Sequence, residues 1–250
     1  MLRLLPTSKN NPDRSSTVKW WGGDNELDYN KNLNRLGDSW EYFKKPINYN
    51  VNSQGYRCKE FDELDWENSY VILGCSHIFG EGNAYEDCIP GQLEIISNTP
   101  CINLGVSASA GEHSFLNALK IYNYTKVKKI IVVWPYLTRE NIYDGKYLYR
   151  YKHILKNMGM NSTKKNLLYK WLEQTVTPIE HWQYLREVYI QILTGLYGKQ
   201  FISFNIEQLE QEFGGAANET IEYDFARDRN HYGPKWNAKA ANKILKEINK

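Results

Sequence analysis

The sequence has no long hydrophobic run. Its strongest, IIVVW at 130–134, is far short of a membrane-crossing helix, and the mean hydropathy is −0.63. The apolar stretch at the N-terminus, MLRLL, is too short for a secretory signal. Charge of one sign is missing too: 31 basic against 29 acidic residues leave a net charge of +2, which gives no basic footprint for nucleic acid. Cysteine is scarce. Cys58, Cys75, Cys88 and Cys101 form no CxxC pair and have no metal-ligand spacing, so neither a disulfide framework nor a metal site is expected. These absences point to a cytoplasmic protein, alone or within a larger particle, with no nucleic-acid or membrane partner. Nothing in the sequence specifies an oligomer. Internal repeats and low-complexity linkers are absent as well.

What is present is enough for one sizeable core: 250 residues, 42% of them hydrophobic. Residues 1–45 are turn-rich and without a sustained period, and read as an irregular N-terminal extension packed on a domain that spans 46–250. INYNVNSQGYR (47–57) alternates, and predicts a strand or hairpin with a turn at Ser53–Gly55. Short continuous apolar runs at 69–75, 100–106, 128–135 and 200–206 predict buried parallel strands. Helices are predicted over 89–97, 111–125, 163–174, 181–198 and 234–249, the last with Pro234 at its start and Trp236, Ala240, Ile244 and Ile248 on one face. Strands alternating with helices predict an α/β fold, a central parallel sheet covered on both faces in three layers, α/β/α. Ligands of such sheets bind beyond the carboxyl ends of the strands.

Two serines sit in similar words, LGDSW at 36–40 and LGCSH at 73–77. Ser39 follows a polar stretch that makes no buried strand, so nothing directs it into a crevice. Ser76 stands where a buried strand ends, with Gly74 before it and FGEG after it, so the backbone can turn tightly and present the hydroxyl. A helix cap would use the same residues. DRNH (228–231) separates the readings. Asp228 and His231 are three apart in a loop, a spacing that lets the carboxylate take the imidazole Nδ1–H and leave Nε2 for a serine proton. His77 adjoins Ser76 and could line the site. His113, His153 and His181 have no Asp three residues before them.

VILGCSHIFGEG, INLGVSASAG and ARDRNHYGPKWNAKAANKIL together resemble, in order, three blocks of the SGNH/GDSL hydrolases. The resemblance covers 47–250. It implies a flavodoxin-like fold, a Ser-His-Asp triad of Ser76, His231 and Asp228, an acyl-enzyme intermediate, and an oxyanion hole that includes the N–H groups of Ser76 and Gly105. It implies no metal and no organic cofactor. The family's Gly-x-Asn block is missing: PYLTREN follows the third strand, leaving Tyr136, Thr138 or Asn141 as substitute oxyanion donors and Arg139, His77 and Tyr136 as substrate-binding residues. An oxyanion donor is worth about 2.7–4 kcal/mol, so its loss would slow turnover roughly a hundredfold to a thousandfold. The expected activity is acyl or acetyl ester hydrolysis. The Tyr-rich 136–153 segment and Lys19-Trp20-Trp21 favour a glycan O-acetyl substrate over a small ester, by stacking on sugars. The alternatives are a non-catalytic relative that binds a glycan or serves in an assembly, and an acyl transferase.

Overall fold

In a computed structural model, residues 2–5, 16–137, 139, 141–143, 148–150, 179–214 and 224–250 are described. Four parallel strands form the centre: β3 (Tyr70–Gly74), β4 (Cys101–Gly105), β5 (Lys129–Trp134) and β8 (Phe201–Asn205), in the order β4-β3-β5-β8. The register runs Tyr70 beside Cys101 and Lys129, and Ile130 beside Phe201.

Alternate residues of each strand enter opposite layers, as a period of two requires. Val71, Leu73, Ile102, Leu104, Ile130, Val132 and Trp134 face α4 (Gly111–Tyr122) and α5 (Ile179–Tyr197), packing on Phe115, Ala118, Ile121, Leu193 and Tyr197. Tyr70, Ile72, Ile131, Val133, Ile202 and Phe204 face the other way, onto α3 (Ile89–Ser97), α6 (Ile206–Phe213) and α7 (Pro234–Ile248). Both faces are therefore buried, and the strands are continuous apolar runs rather than alternating ones. The architecture is three-layered α/β/α around a parallel sheet. The four strands of the parallel sheet and the helices α3, α4, α5 and α7 lie within a few residues of their sequence expectations; the helix expected at 163–174 lies outside the described residues.

The N-terminal segment differs from expectation. Residues 16–18 form strand β1 (Ser16–Val18), which pairs antiparallel with β2 (Tyr49–Val51). The turn at 53–55 exists, with Gly55 N–H donating to Asn52 O at 2.9 Å, but the partner of β2 lies upstream of it. Helix α1 (Glu26–Leu36) occupies a region that reads as irregular. Its apolar row, Tyr29, Leu33 and Leu36, is at helical spacing but is short, only half-buried and set in a polar sequence. Its ends specify it instead: the Asn25 side chain accepts from Asp28 N–H, Glu26 and Asp28 sit in the first turn, and Gly37 at φ 69° closes it. Two short antiparallel strands, β6 (Asn141–Tyr143) and β7 (Leu148–Arg150), form a separate pair after β5.

Candidate active site

Three chain segments meet beyond the carboxyl end of β3. The first is the tight turn from β3 into α2 (Ser76–Phe79), which starts with the serine. Gly74 is obligatory here because a Cβ would lie 2.6 Å from Ile78 Cγ1 and 2.8 Å from the Val133 carbonyl. Gly80, at φ 81°, ends the helix, and the Ser76 carbonyl accepts from both Gly80 and Glu81 N–H at 2.9 and 3.2 Å.

The second segment is the loop 224–233. Ala226 N–H donates to the His231 carbonyl and Gly233 N–H to the Asp224 carbonyl, at 2.9 and 2.8 Å, while Phe225 and Tyr232 form a bridge. Arg227 N–H reaches across to the Gly82 carbonyl at 2.9 Å, and this docks the loop onto the segment after α2. The approach demands glycine: a Cβ on Gly82 would stand 2.8 Å from Ala226 Cβ and 2.9 Å from Asp228 Oδ1.

The result is a relay. Ser76 Oγ lies 2.8 Å from His231 Nε2, and His231 Nδ1 lies 2.6 Å from Asp228 Oδ2. The second carboxylate oxygen of Asp228 accepts from the N–H groups of Asn230 and His231 at 3.1 and 3.2 Å, which fixes its orientation. Burial alone pulls the His231 pKa down. The Asp228 hydrogen bond and the charges of Glu81 and Asp228 outweigh it, and the net shift is upward from 6.5. His77 is stacked against Tyr232 with ring centroids 5.3 Å apart and presents its edge to His231 at 5.0 Å. Burial, then the neighbouring charges of His231 and Arg139, hold it well below its ordinary pKa, so it is neutral at physiological pH. Ser39, the serine of the better-spelled word, is exposed, and its hydroxyl donates to its own helix at Leu36 O.

Two expected donors are otherwise engaged. Gly105 N–H donates to the Asn103 side-chain carbonyl at 3.0 Å, within its own strand. Gly105 is glycine because a Cβ would strike Phe79 N at 2.2 Å; its role is to let α2 lie on β4. Tyr136 donates its hydroxyl to Glu210, which also accepts from Tyr232 at 2.6 Å. Thr138 lies outside the described residues, and Asn141 is placed only as a backbone partner of Arg150 in the β6–β7 pair. Arg139 stacks over the Tyr136 ring at 4.9 Å, and its buried Nε and Nη1 have no hydrogen-bond partner among the described residues. Tyr136 and Arg139 help line a cavity with Trp134, Trp182, Arg186 and Tyr189. The Tyr136 and His77 rings meet edge to face with centroids 6.2 Å apart.

Sequence reasoning missed Glu81. It is 4% exposed, its Oε2 lies 4.0 Å from His231 Nε2, and the same oxygen accepts from Gly23 N–H at 3.0 Å. Ligand atoms of Glu81, Asp228 and His231 all fall within 4.8 Å of one another, the spacing a metal ion would use. Both imidazole nitrogens are, however, already engaged by Ser76 and Asp228, so a cation would have to break the relay. Residues 22–24 were also missed, and Trp20 and Trp21, expected to stack on a sugar, pack within the protein instead. Trp21 Nε1–H donates to Ser107 Oγ at 3.0 Å, and Asp24 pairs with Arg227 through contacts of 2.6 and 3.0 Å.

No family model and no curated protein matches the chain. Solved structures similar to it are of GDSL and SGNH proteins. One, from Desulfitobacterium hafniense DCB-2, is described as lipolytic and of the G-D-S-L family; it is 12% identical with a TM-score of 0.37, over 73% of this chain and 99% of that one. Another, a GDSL-like lipase by description, is from Bacteroides ovatus ATCC 8483; it is 14% identical with a TM-score of 0.37, over 72% of this chain, which spans only 52% of that one. AlinE4, an SGNH-hydrolase family esterase, is 13% identical with a TM-score of 0.31, over 74% of this chain and 98% of that one. At these values the chemistry of the site has to be argued from its own atoms.

Proposed function

We propose that the protein is a serine ester hydrolase with Ser76 as nucleophile, His231 as general base and Asp228 as its orienting carboxylate. The observation that carries this reading is the continuous Ser76–His231–Asp228 contact chain, 2.8 and 2.6 Å long in its two links, built from residues 155 apart in sequence. Asp228 fixes the tautomer with the proton on Nδ1. Nε2 then accepts the serine proton as Oγ attacks the acyl carbonyl, and returns it to the leaving alcohol.

The oxyanion is held by the Ser76 N–H together with an N–H of the loop after β4. That loop lies beside the nucleophile: Val106 N–H and Ser109 Oγ–H both donate to the Gly74 carbonyl, at 2.9 and 3.2 Å. Within it Ala108 is held at φ 61°, a strained conformation for a residue with a Cβ, and among the described residues nothing accepts its N–H. Ala108 therefore takes the part that Gly105 cannot. Arg139, in the cavity lined by Trp134, Trp182 and Tyr189, suits an anionic group on the ester. The rings of Trp20 and Trp21 are used internally: Trp20 carries the Arg227 guanidinium at 4.3 Å and Trp21 stacks on Phe79 at 4.9 Å. This leaves a small ester ahead of a glycan as substrate.

The test is labelling with a fluorophosphonate followed by peptide mapping. The expected result is an adduct on Ser76, lost in Ser76→Ala and strongly slowed in His231→Ala. An adduct on Ser39, or none on the folded protein, overturns the reading.

A further inference from the structure

Glu81 has no part in a Ser-His-Asp relay, yet it is a buried carboxylate in contact range of the relay's working nitrogen. Asp228 approaches His231 at Nδ1; Glu81 approaches it at Nε2, the side where Ser76 and any incoming nucleophile stand. Its placement is built. Gly80 and Gly82 on either side of it are both at positive φ, 81° and 74°. Gly22 leaves room that a Cβ would fill at 2.5 Å from Glu81 Oε1, and Gly23 N–H fixes Oε2 at 3.0 Å. A glycine pair in the N-terminal segment thus clamps a negative charge beside the nucleophile.

A charge there hinders rather than helps oxyanion formation unless it serves a later step. Once Ser76 is acylated, Nε2 is released and must activate water. A water oxygen placed about 2.8 Å from both Glu81 Oε2 and His231 Nε2 would subtend an angle of about 90° across the 4.0 Å that separates them, close enough to the water angle for both hydrogens to be used. Its lone pairs then point away from both acceptors, toward the ester on Ser76.

We propose that Glu81 is the water-binding residue of deacylation, and that it commits the acyl-enzyme to hydrolysis rather than transfer to an alcohol. This rests on the ester-hydrolase reading. Water gives one proton to His231 Nε2 as its oxygen forms a bond to the acyl carbon, while its other hydrogen stays on the oxygen and is held by Glu81. The tetrahedral adduct then collapses: the bond from carbon to Ser76 Oγ breaks, Oγ recovers the proton from His231, and the carboxylic acid leaves. Glu81 remains ionised throughout and is a hydrogen-bond acceptor only. An alcohol donates a single hydrogen, cannot satisfy both acceptors, and is disfavoured at this point.

The test is pre-steady-state hydrolysis of p-nitrophenyl acetate by the protein and by Glu81→Gln, Glu81→Met and Glu81→Ala, on the high-pH plateau of the wild-type kcat/KM profile. Glu81→Gln keeps the Gly23 contact by placing its carbonyl oxygen at the Oε2 position, so it retains an acceptor facing Nε2 and removes only the charge, whereas Glu81→Met and Glu81→Ala remove the acceptor. The expected result is an undiminished burst of one nitrophenolate per Ser76. Steady-state turnover should fall about 10–100-fold in Glu81→Met and Glu81→Ala, the loss that misplacing a reactant brings, and less in Glu81→Gln. The acetyl-enzyme should accumulate on Ser76 by mass spectrometry, and added methanol should capture a larger share of the acyl group than in the wild type. Turnover unchanged in Glu81→Met and Glu81→Ala, or burst and turnover slowed together, overturns the role of Glu81 while leaving Ser76 as nucleophile. Absence of any burst and of any Ser76 adduct in the wild type as well overturns the hydrolase reading itself. Fluorophosphonate labelling of the variants at the wild-type rate shows that they are folded with an intact relay. If Glu81→Ala labels slowly, Glu81→Met, which keeps the side-chain length without the acceptor, decides.

Discussion

Asp24→Ala should destabilise the protein as much as a core deletion would, although Asp24 lies in a segment that reads as an appendage. Its carboxylate meets Arg227 through two contacts, Nη2 to Oδ2 at 2.6 Å and Nε to Oδ1 at 3.0 Å, with side chains 1% and 4% exposed. Tyr49 donates its hydroxyl to the same Oδ2 at 2.5 Å, and in turn accepts from Gly82 N–H at 2.8 Å. Truncating Asp24 leaves a guanidinium buried with only the Lys19 carbonyl, at 2.8 Å, as a hydrogen-bond partner. Breaking one side of a buried pair costs about 3–5 kcal/mol. For a chain of this length about 2–4 °C is lost per kcal/mol, so the melting temperature should drop by roughly 6–20 °C. Arg227→Met should cost a similar amount. The double variant Asp24→Leu/Arg227→Met should recover most of it, because an apolar pair replaces a buried ionic one at little net cost. Urea titrations of the wild type, Asp24→Leu, Arg227→Met and the double variant measure the coupling. A loss below about 1 kcal/mol in Asp24→Ala, or strict additivity in the double variant, would refute a buried, desolvated pair and return residues 19–24 to the status of a surface strap.

Hydrolysis of a neutral aryl ester should rise with pH as His231 loses its proton. Because the His231 pKa is raised, the midpoint in kcat/KM should lie above 6.5, and it should move down in Glu81→Gln, which removes one of the charges that raise it; a profile flat from pH 5 to 8 is the contrary result. Gly82→Ala forces a Cβ at φ 74° to within 2.9 Å of Asp228 Oδ1, so the rate of fluorophosphonate labelling should fall more than its melting temperature alone explains. Tyr136→Phe loses only a hydrogen bond to Glu210 and should leave kcat within about threefold of wild type; a fall of a hundredfold or more would make its hydroxyl an oxyanion donor after all.

The sheet is legible because β3, β4 and β5 are buried on both faces, and burial of that kind leaves continuous apolar runs that need no partner to be recognised. The Ser76, Asp228 and His231 cluster is legible for a related reason: one member ends a readable strand, and the other two are close enough in sequence for a turn to join them. Gly105 shows where such reading stops. Its N–H is consumed by Asn103 two residues earlier in the same strand, a contact that depends on which way one buried amide points. The α1 helix escapes because its one apolar row, Tyr29, Leu33 and Leu36, is short and only half-buried. Glu81 escapes because its significance comes from Gly22 and Gly23, nearly sixty residues upstream, and a glutamate between two glycines otherwise reads as an exposed turn. The one local signal was the pair of glycines itself. Both adopt positive φ, and a turn that needs two such residues around an acid is fixing that acid's position.

The same six residues of the N-terminal segment touch all three parts of the site. Gly23 holds Glu81 after α2, Asp24 holds Arg227 beside Asp228, and Trp21 holds Ser107 in the loop after β4. None of these contacts supports the sheet, whose two faces are closed by α3 to α7. Each instead fixes one catalytic segment against another, and two of them join residues whose elements have no strand or helix in common. On the ester-hydrolase reading, the candidate nucleophile sits on a four-residue helix and the candidate base on a loop held by a few backbone bonds, and a displacement of about 1 Å between them is enough to cost a hundredfold in rate. The segment that looks dispensable by periodicity is therefore expected to tie the three parts of the candidate site together, through contacts whose loss costs stability as well as rate.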